Sequence, residues 1–158
     1  MSTLAAQKAT AQAVIDGYNA WNMDKIMAYR TEDCTQQVLP ASLGRPIQNN
    51  TQYRERFSQM LPHFSDFKVR RRLPFESKRL TSHQVTVHTE VHDVDAHTCI
   101  MHATSTADSD IGPYANEYAL ILHFTEDGKQ VTKFLEFVDS AFSNKFFKEL
   151  RDAGLGPQ

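Results

Sequence analysis

The residues able to do chemistry crowd into one stretch, Ile111 to Ser140, IGPYANEYALILHFTEDGKQVTKFLEFVDS. It reads as two long strands around a tight turn. Glu126-Asp127-Gly128 supplies the turn, with Gly128 suited to a left-handed backbone. With Thr125 facing Lys129 across a three-residue loop, Tyr118 falls opposite Glu136, Leu120 opposite Phe134, and Asn116 opposite Val138. Side chains alternate between the two faces of a sheet. One face then carries Asn116, Tyr118, Leu120, Leu122, Phe134, Glu136 and Val138. That is an apolar surface with a carboxylate, a phenol and an amide set into it. An ionised carboxylate among apolar side chains is costly and calls for a partner or a task. Glu136 is therefore the first candidate for a general base. A one-residue slip in the turn would send it to the other face.

Burial pushes a carboxyl pKa upward, toward the range useful near neutral pH. Glu136 could then take a proton from a carbon next to a carbonyl. Tyr118 or Asn116 could donate to the enolate oxygen that forms. Enolisation, double-bond isomerisation and intramolecular aldol or Michael closure all begin in this way, and so does loss of water. Phe134 and Leu120 would supply apolar wall. Arg45 stands alone in the loop Pro40 to Asn50, as a solvated charge or as a guanidinium folded over a pocket mouth. Trp21 is plain core or cavity lining. Of seven histidines, His83, His88, His92 and His102 fall in two middle strands. His88 and His102 sit mid-strand and could add acid–base capacity at a cavity floor. His92, Asp93, Asp95 and His97 gather near one turn, but without a recognised metal-ligand spacing, and no metal is assigned. Cys34 and Cys99 lack an activating base.

Stepwise along the chain, a helix runs from Ser2 to about Asn22, capped by Ser2 or Thr3, with Val14, Tyr18 and Trp21 as its apolar stripe. A short helix spans Met23 to Arg30, and a short strand Cys34 to Leu39. Asn50 or Thr51 caps a third helix ending near Met60. Strands follow at Phe67–Phe75, His83–Asp93 and Thr98–Ala107, then the hairpin. In the second of these, Val85, Val87, Thr89 and Val91 share one face. Asp139 is read as the cap of a terminal helix over Asn144 to Ala153. Helices gathered early and strands late indicate α+β. The expectation is a cone: a curved antiparallel sheet of about six strands wrapped around the N-terminal helices, with a C-terminal helix. Ala119, Ile121, Leu135 and Phe137 would lie on the outer face, where an apolar surface implies a homodimer.

At 158 residues the chain suits one domain, 1–158. A formal net charge of -2 gives no general attraction to nucleic acid. The basic run Lys68, Arg70, Arg71, Arg72 is local and reads as a solvated strand face. No stretch approaches the roughly 20 apolar residues of a membrane span, and the first residues lack a signal-peptide core. With unpaired cysteines, a cytoplasmic protein without nucleic-acid or membrane partners is expected.

The element order and its closing G-K-x-V-x-x-F-x-E-F-x-D-S strand resemble the SnoaL-like branch of the nuclear transport factor 2-like fold. The more specific pieces are Leu39 to Leu43 with Arg45, Ile111 to Tyr114 with Asn116 to Tyr118, and Phe124 to Lys129 with Glu136 to Ser140. Together they resemble small isomerases and cyclases of fungal secondary metabolism, which act on polyketide-derived xanthone precursors and meroterpenoids. The resemblance covers nearly the whole chain. It implies a homodimer and cofactor-free acid–base chemistry on a small-molecule substrate, with Glu136 at the position of the family's acid on the last strand. Bacterial cyclases carry a Trp directly before that acid, where this chain has Leu135. Two function classes remain open. One is an isomerase, cyclase or dehydratase; the other is a non-catalytic ligand- or protein-binding module of the same fold.

Overall fold

The computed structural model describes residues 3–65 and 85–156. Ser2 as a cap, the strand at Phe67–Phe75, the basic run 68–72 and the first residues of the strand at His83 lie outside the described residues. Helix α1 (Thr3–Asn19) and α2 (Met23–Met27) precede β1 (Arg30–Leu39). A 3-10 turn and β2 (Gln48–Asn49) lead into α3 (Asn50–Met60). Then come β3 (Phe64–Ser65), β4 (Val85–Asp93), β5 (Thr98–Ser109), β6 (Gly112–Phe124), β7 (Val131–Val138) and α4 (Ser140–Asp152). The α+β class holds. The sheet runs β2-β1-β7-β6-β5-β3, with β4 also paired to β5. It is mixed rather than all antiparallel, because β1 lies parallel to β7. Arg30, expected to end a helix, begins that strand.

Local chemistry explains the element ends. Asn22 caps α2 by accepting from the Lys25 amide. The cap of α3 is Asn49, one residue earlier than expected. Its side chain accepts from Gln52 N, and Gln52 Oε1 accepts from Asn49 N, a closed capping box. Asn50 is instead turned to β1, where it donates to the carbonyls of Thr31 and Glu32. Asp139 caps α4 as expected, accepting from the amides of Ala141 and Phe142, although α4 starts four residues before Asn144.

Helix α1 closes the core against the hairpin turn. Thr10 Oγ1 donates to Gly128 O at 2.8 Å. Gly128 has φ 72°, and a Cβ there would lie 3.0 Å from Gln7, so the turn needs glycine for its backbone and for its neighbour. The buried core joins Ala11, Val14 and Ile15 of α1 to Met101, Leu122 and Phe134 of the sheet and to Phe146 and Leu150 of α4. The outer sheet face leaves Val91, Ile100 and Phe137 exposed.

The hairpin register differs from the expected one by two residues. Thr125 N donates to Gln130 O, so the turn is one residue longer than expected. A bulge between His123 and Phe124 adds a second. Leu120 therefore faces Glu136, Leu122 faces Phe134, and Tyr118 faces Val138. Two single-residue offsets keep the alternation in phase, so the inward set of residues is the expected set. In β4 a single bulge has the opposite result. The register shifts between Val87 and Thr89, so Val85 and Val87 face inward while Thr89 and Val91 face outward. The single face expected for those four residues is split.

Candidate active site

The inner faces of β1, β6 and β7, with α1, α3 and α4 above them, enclose a cavity of about 150 Å³. An apolar cavity of roughly that size takes one benzene ring. Glu136, Tyr118, Asn116, Arg45, Phe134, Leu120 and Trp21 all line it. All seven meet at one cavity, including Arg45 and Trp21, for which the sequence left solvent or plain core as the other reading. His88 and His102 are not among them. Alternation in β4 after the inward Val87, and in β5, puts both on the outer face. There His102 Nε2 meets Glu117 Oε1 at 2.6 Å, and the two imidazoles lie 4.9 Å apart. His88 Nε2 reaches Thr104 Oγ1 at 2.9 Å. The cavity-floor position expected for these histidines is therefore corrected.

Glu136 is part of a partly buried polar relay. Parallel pairing sets Val38 beside Glu136 and Gln36 beside Phe134, all on the inner face. Gln36 Nε2 donates to Glu136 Oε1, and Arg30 donates to Gln36 Oε1. Because Oε1 of Gln36 is occupied by the guanidinium, its amide must present N–H to the carboxylate. Gln36 Nε2 also points at the Tyr18 hydroxyl, 3.4 Å away, which in turn lies 2.6 Å from the Tyr53 hydroxyl. The Arg30 guanidinium sits 4.4 Å above the Tyr53 ring. Glu136 Oε2 has no hydrogen-bond partner among the described residues and is open to the cavity.

Burial raises the Glu136 pKa from 4.5 to about 7; Arg30, the Gln36 hydrogen bond and Arg45 pull against that rise. Burial works against the charge on Arg30, but Tyr18, Tyr53, Cys34 and Glu136 around it raise its pKa overall. The Tyr18 phenol is pushed up to about 12 by burial and by Glu136, so it stays a neutral donor. The site therefore holds a carboxyl able to change protonation near neutral pH beside a guanidinium that does not.

A second relay lies on β5 and β6. Tyr118 OH is 2.8 Å from both Ser105 Oγ and Tyr114 OH. Asn116 Nδ2 donates to Tyr114 OH and to Ser143 Oγ, at 3.0 and 2.9 Å. Asn116 Oδ1 accepts from the amides of Glu117 and Asp139. Both donors of Asn116 are thus engaged within the protein, so its role here is to fix Tyr114 rather than to meet an enolate. Each of these hydroxyl contacts can run in either direction, and Tyr118 has its proton for a ligand when Ser105 and Tyr114 are the donors. Burial holds the Tyr118 pKa well above its usual value, with Tyr114 adding to the rise.

Trp21 lies beyond the end of α1, in a turn with φ 47°, rather than on the helical stripe. Its Nε1 donates to Leu61 O, and its ring packs edge-on to Phe57 and Phe64. Cys34 and Cys99 are buried, and burial with Glu90 pushes the Cys99 thiol up to about 12. Among the described residues no three His, Cys, Asp or Glu side chains converge as metal ligands. Asp93 instead accepts from Ala96 N within its turn. No helix among the described residues is long and apolar enough to cross a membrane.

Arg30, Gln36, Tyr18, Tyr53, Tyr114 and Ser105 were missed as site residues. Gln36 had one available signal, a polar residue two positions from Cys34 and Val38 on the inward face of a strand. Nothing local marks Arg30, which a three-residue register jump in β1 brings back toward the cavity.

No family model matches the chain. It is 32% identical over 146 residues to monooxygenase AacuP of Aspergillus aculeatus, covering 92% of this chain and 90% of that protein. It is 31% identical over 144 residues to monooxygenase nsrQ of Aspergillus novofumigatus, covering 91% and 85%. Among solved structures, the BvnE pinacolase from Penicillium brevicompactum superposes with a TM-score of 0.81 at 23% identity, covering 96% of this chain and 94% of that one. That likeness shows the fold, which is of the nuclear transport factor 2 and ketosteroid-isomerase-like class.

Proposed function

The chain belongs to the family of fungal proteins that includes AacuP and nsrQ, and from that premise we propose that it is an acid–base isomerase of secondary metabolism. Its substrate on this reading is a polyketide-derived, xanthone-type or meroterpenoid intermediate. One observation carries the proposal. Glu136 is half-buried in the cavity wall, its pKa is raised to about 7, one of its oxygens is held by Gln36, and the other is open to the cavity.

The carboxylate takes a proton from the carbon next to a substrate carbonyl. Tyr118, with its hydroxyl turned from Ser105 and Tyr114 to the substrate, gives its hydrogen bond to the enolate oxygen. The carboxylic acid so formed returns its proton to a different carbon, and the double bond moves. Arg30 and Gln36 hold the carboxyl in place through both transfers. This sequence of steps is redox-neutral and needs no cofactor. A positioned base contributes about 10²–10⁴-fold. The test uses 2-tetralone, an aromatic ketone with an acidic α-carbon, in deuterated water. Glu136→Gln is expected to slow enzyme-dependent deuterium uptake by that factor while folding normally. Uptake within a few-fold of wild type would sink Glu136 as the base.

The names of the relatives favour a second reading, monooxygenation. It starts from the same enolate. The enolate carbon adds dioxygen, the peroxide formed takes a proton from the Glu136 acid, and loss of water leaves an oxidised carbon. An oxygen electrode separates the two: isomerisation consumes no dioxygen, and oxygenation consumes one per turnover.

A further inference from the structure

The lining of the cavity carries charge that the described residues leave unanswered. Arg45, on the loop before β2, and Arg56, on α3, both line the cavity and are both half-buried. Among the described residues neither has a carboxylate within ion-pair distance or a hydrogen-bond acceptor; the α3 arginine that does, Arg54, pairs with Asp24 instead. The Arg45 guanidinium lies 5.4 Å from the centroid of the Phe147 ring. A ring face attracts the cation but accepts none of its N–H bonds, so this contact leaves the donor fork free. Burial, Arg56 and Arg151 all lower the Arg45 pKa, and burial and Arg151 lower that of Arg56, so three like charges share one neighbourhood. This is local, since the whole chain is at -2. Among the described residues Glu136 is the one carboxyl in the lining, and Arg30 already stands near it. Half-buried guanidiniums gathered without an acid are unfavourable unless an anion joins them.

We propose that Arg45 and Arg56, with Arg151 nearby, form an anion-binding mouth that takes a carboxylate carried by the substrate. The ring system of the substrate then lies inward along Trp21 and Phe134, toward Glu136. A planar guanidinium fork matches a carboxylate in two-point hydrogen bonding, which orients the substrate as well as holding it. The inference rests on the cavity being the substrate site; it does not require Glu136 to be the base.

The test compares salicylate with salicylamide, a matched pair that differs in the anionic group. Trp21 is the single tryptophan of the chain and lines the cavity. Its one indole N–H resonance in a nitrogen–proton correlation spectrum therefore reports occupancy. Salicylate is expected to bind at least about tenfold more tightly than salicylamide at low salt, with the difference collapsing in roughly 0.5 M salt. In an Arg45→Gln/Arg56→Gln protein, salicylate should fall to the affinity of salicylamide, and salicylamide should be unchanged. Arg56→Gln alone leaves the Phe147 contact intact and guards against a folding defect; it should lose about half of the preference on a logarithmic scale. Equal affinities in wild type overturn the anion-binding mouth and leave the cavity as an aromatic site. No movement of the resonance with either compound overturns the mouth and the cavity reading together.

Discussion

The two faces of the sheet carry similar chemistry in opposite surroundings. Outside, His102 and Glu117 meet directly at 2.6 Å, with side chains 50% and 63% exposed. Inside, Glu136 meets no cation directly among the described residues; an amide stands between it and Arg30, with Tyr18 and Tyr53 above the relay and Phe134 beside it. By contact distance alone the outer pair looks the better candidate for acid–base work. Solvent decides otherwise. Water and salt screen the outer charges, whereas burial raises the Glu136 pKa to about 7. On the proposed function, reactivity follows from what surrounds the carboxyl rather than from the closeness of its partner.

The sharpest way to break this contrast is to disable each face in turn. Glu136→Gln should reduce turnover by about 10²–10⁴-fold, while His88→Ala and His102→Ala stay within about twofold, measured on the same ketone. The opposite pattern would move the chemistry to the outer face.

Stability should separate the faces as well. The Glu136 pKa is raised on folding, from 4.5 to about 7. Its contribution is therefore fully present below pH 4.5 and is lost as pH rises through 7. Replacing the carboxyl with an amide should leave stability unchanged near pH 4 and raise it by about 3 kcal/mol at pH 8. Denaturant melts of the two proteins at both pH values check this. A variant that is no more stable at pH 8 would mean that the carboxylate is better satisfied than the relay suggests.

Gln36→Leu should cost roughly 1–3 kcal/mol, because Arg30 and Glu136 both lose a buried partner. Gln36 pulls the Glu136 pKa down, so its loss should also move the pH–rate profile to higher pH. A purely structural glutamine would lower stability and leave that profile where it was. The smallest effect belongs outside: Glu117→Gln should change stability by less than about 1 kcal/mol, and less still in high salt.

Much of the inner face was legible because period-two alternation is a local property. Tyr118, Leu120, Phe134 and Glu136 were placed together from the hairpin alone, despite a register two residues off. The histidines were misplaced for a related reason. A β-bulge leaves little trace in an alternating sequence: alternation from the inward Val85 and Val87 turns His88 outward, and the bulge after Val87 sends Thr89 to that same face. His102 needed the identity of its neighbours, since alternation defines two faces without saying which is inside. The Arg30–Gln36 relay was out of reach because it depends on a parallel pairing between β1 and β7, which no turn connects. Arg45 was legible only as a choice between solvent and pocket. The helices overhead, and Arg56 on one of them, decide that choice.

The same parallel pairing sets when the site can exist during synthesis. Gln36 and Glu136 are 100 positions apart. At about 5–20 residues per second, a ribosome makes the second roughly 5–20 seconds after the first. In that interval Arg30 and Gln36 have no carboxylate to meet, and the inner face of β1 waits without its neighbour. Closing so long a loop delays the central pairing, and partly built sheets with open edges are exposed to aggregation. A nascent chain arrested before β7 is expected to be the aggregation-prone species, with recovery once Val131 to Val138 has emerged.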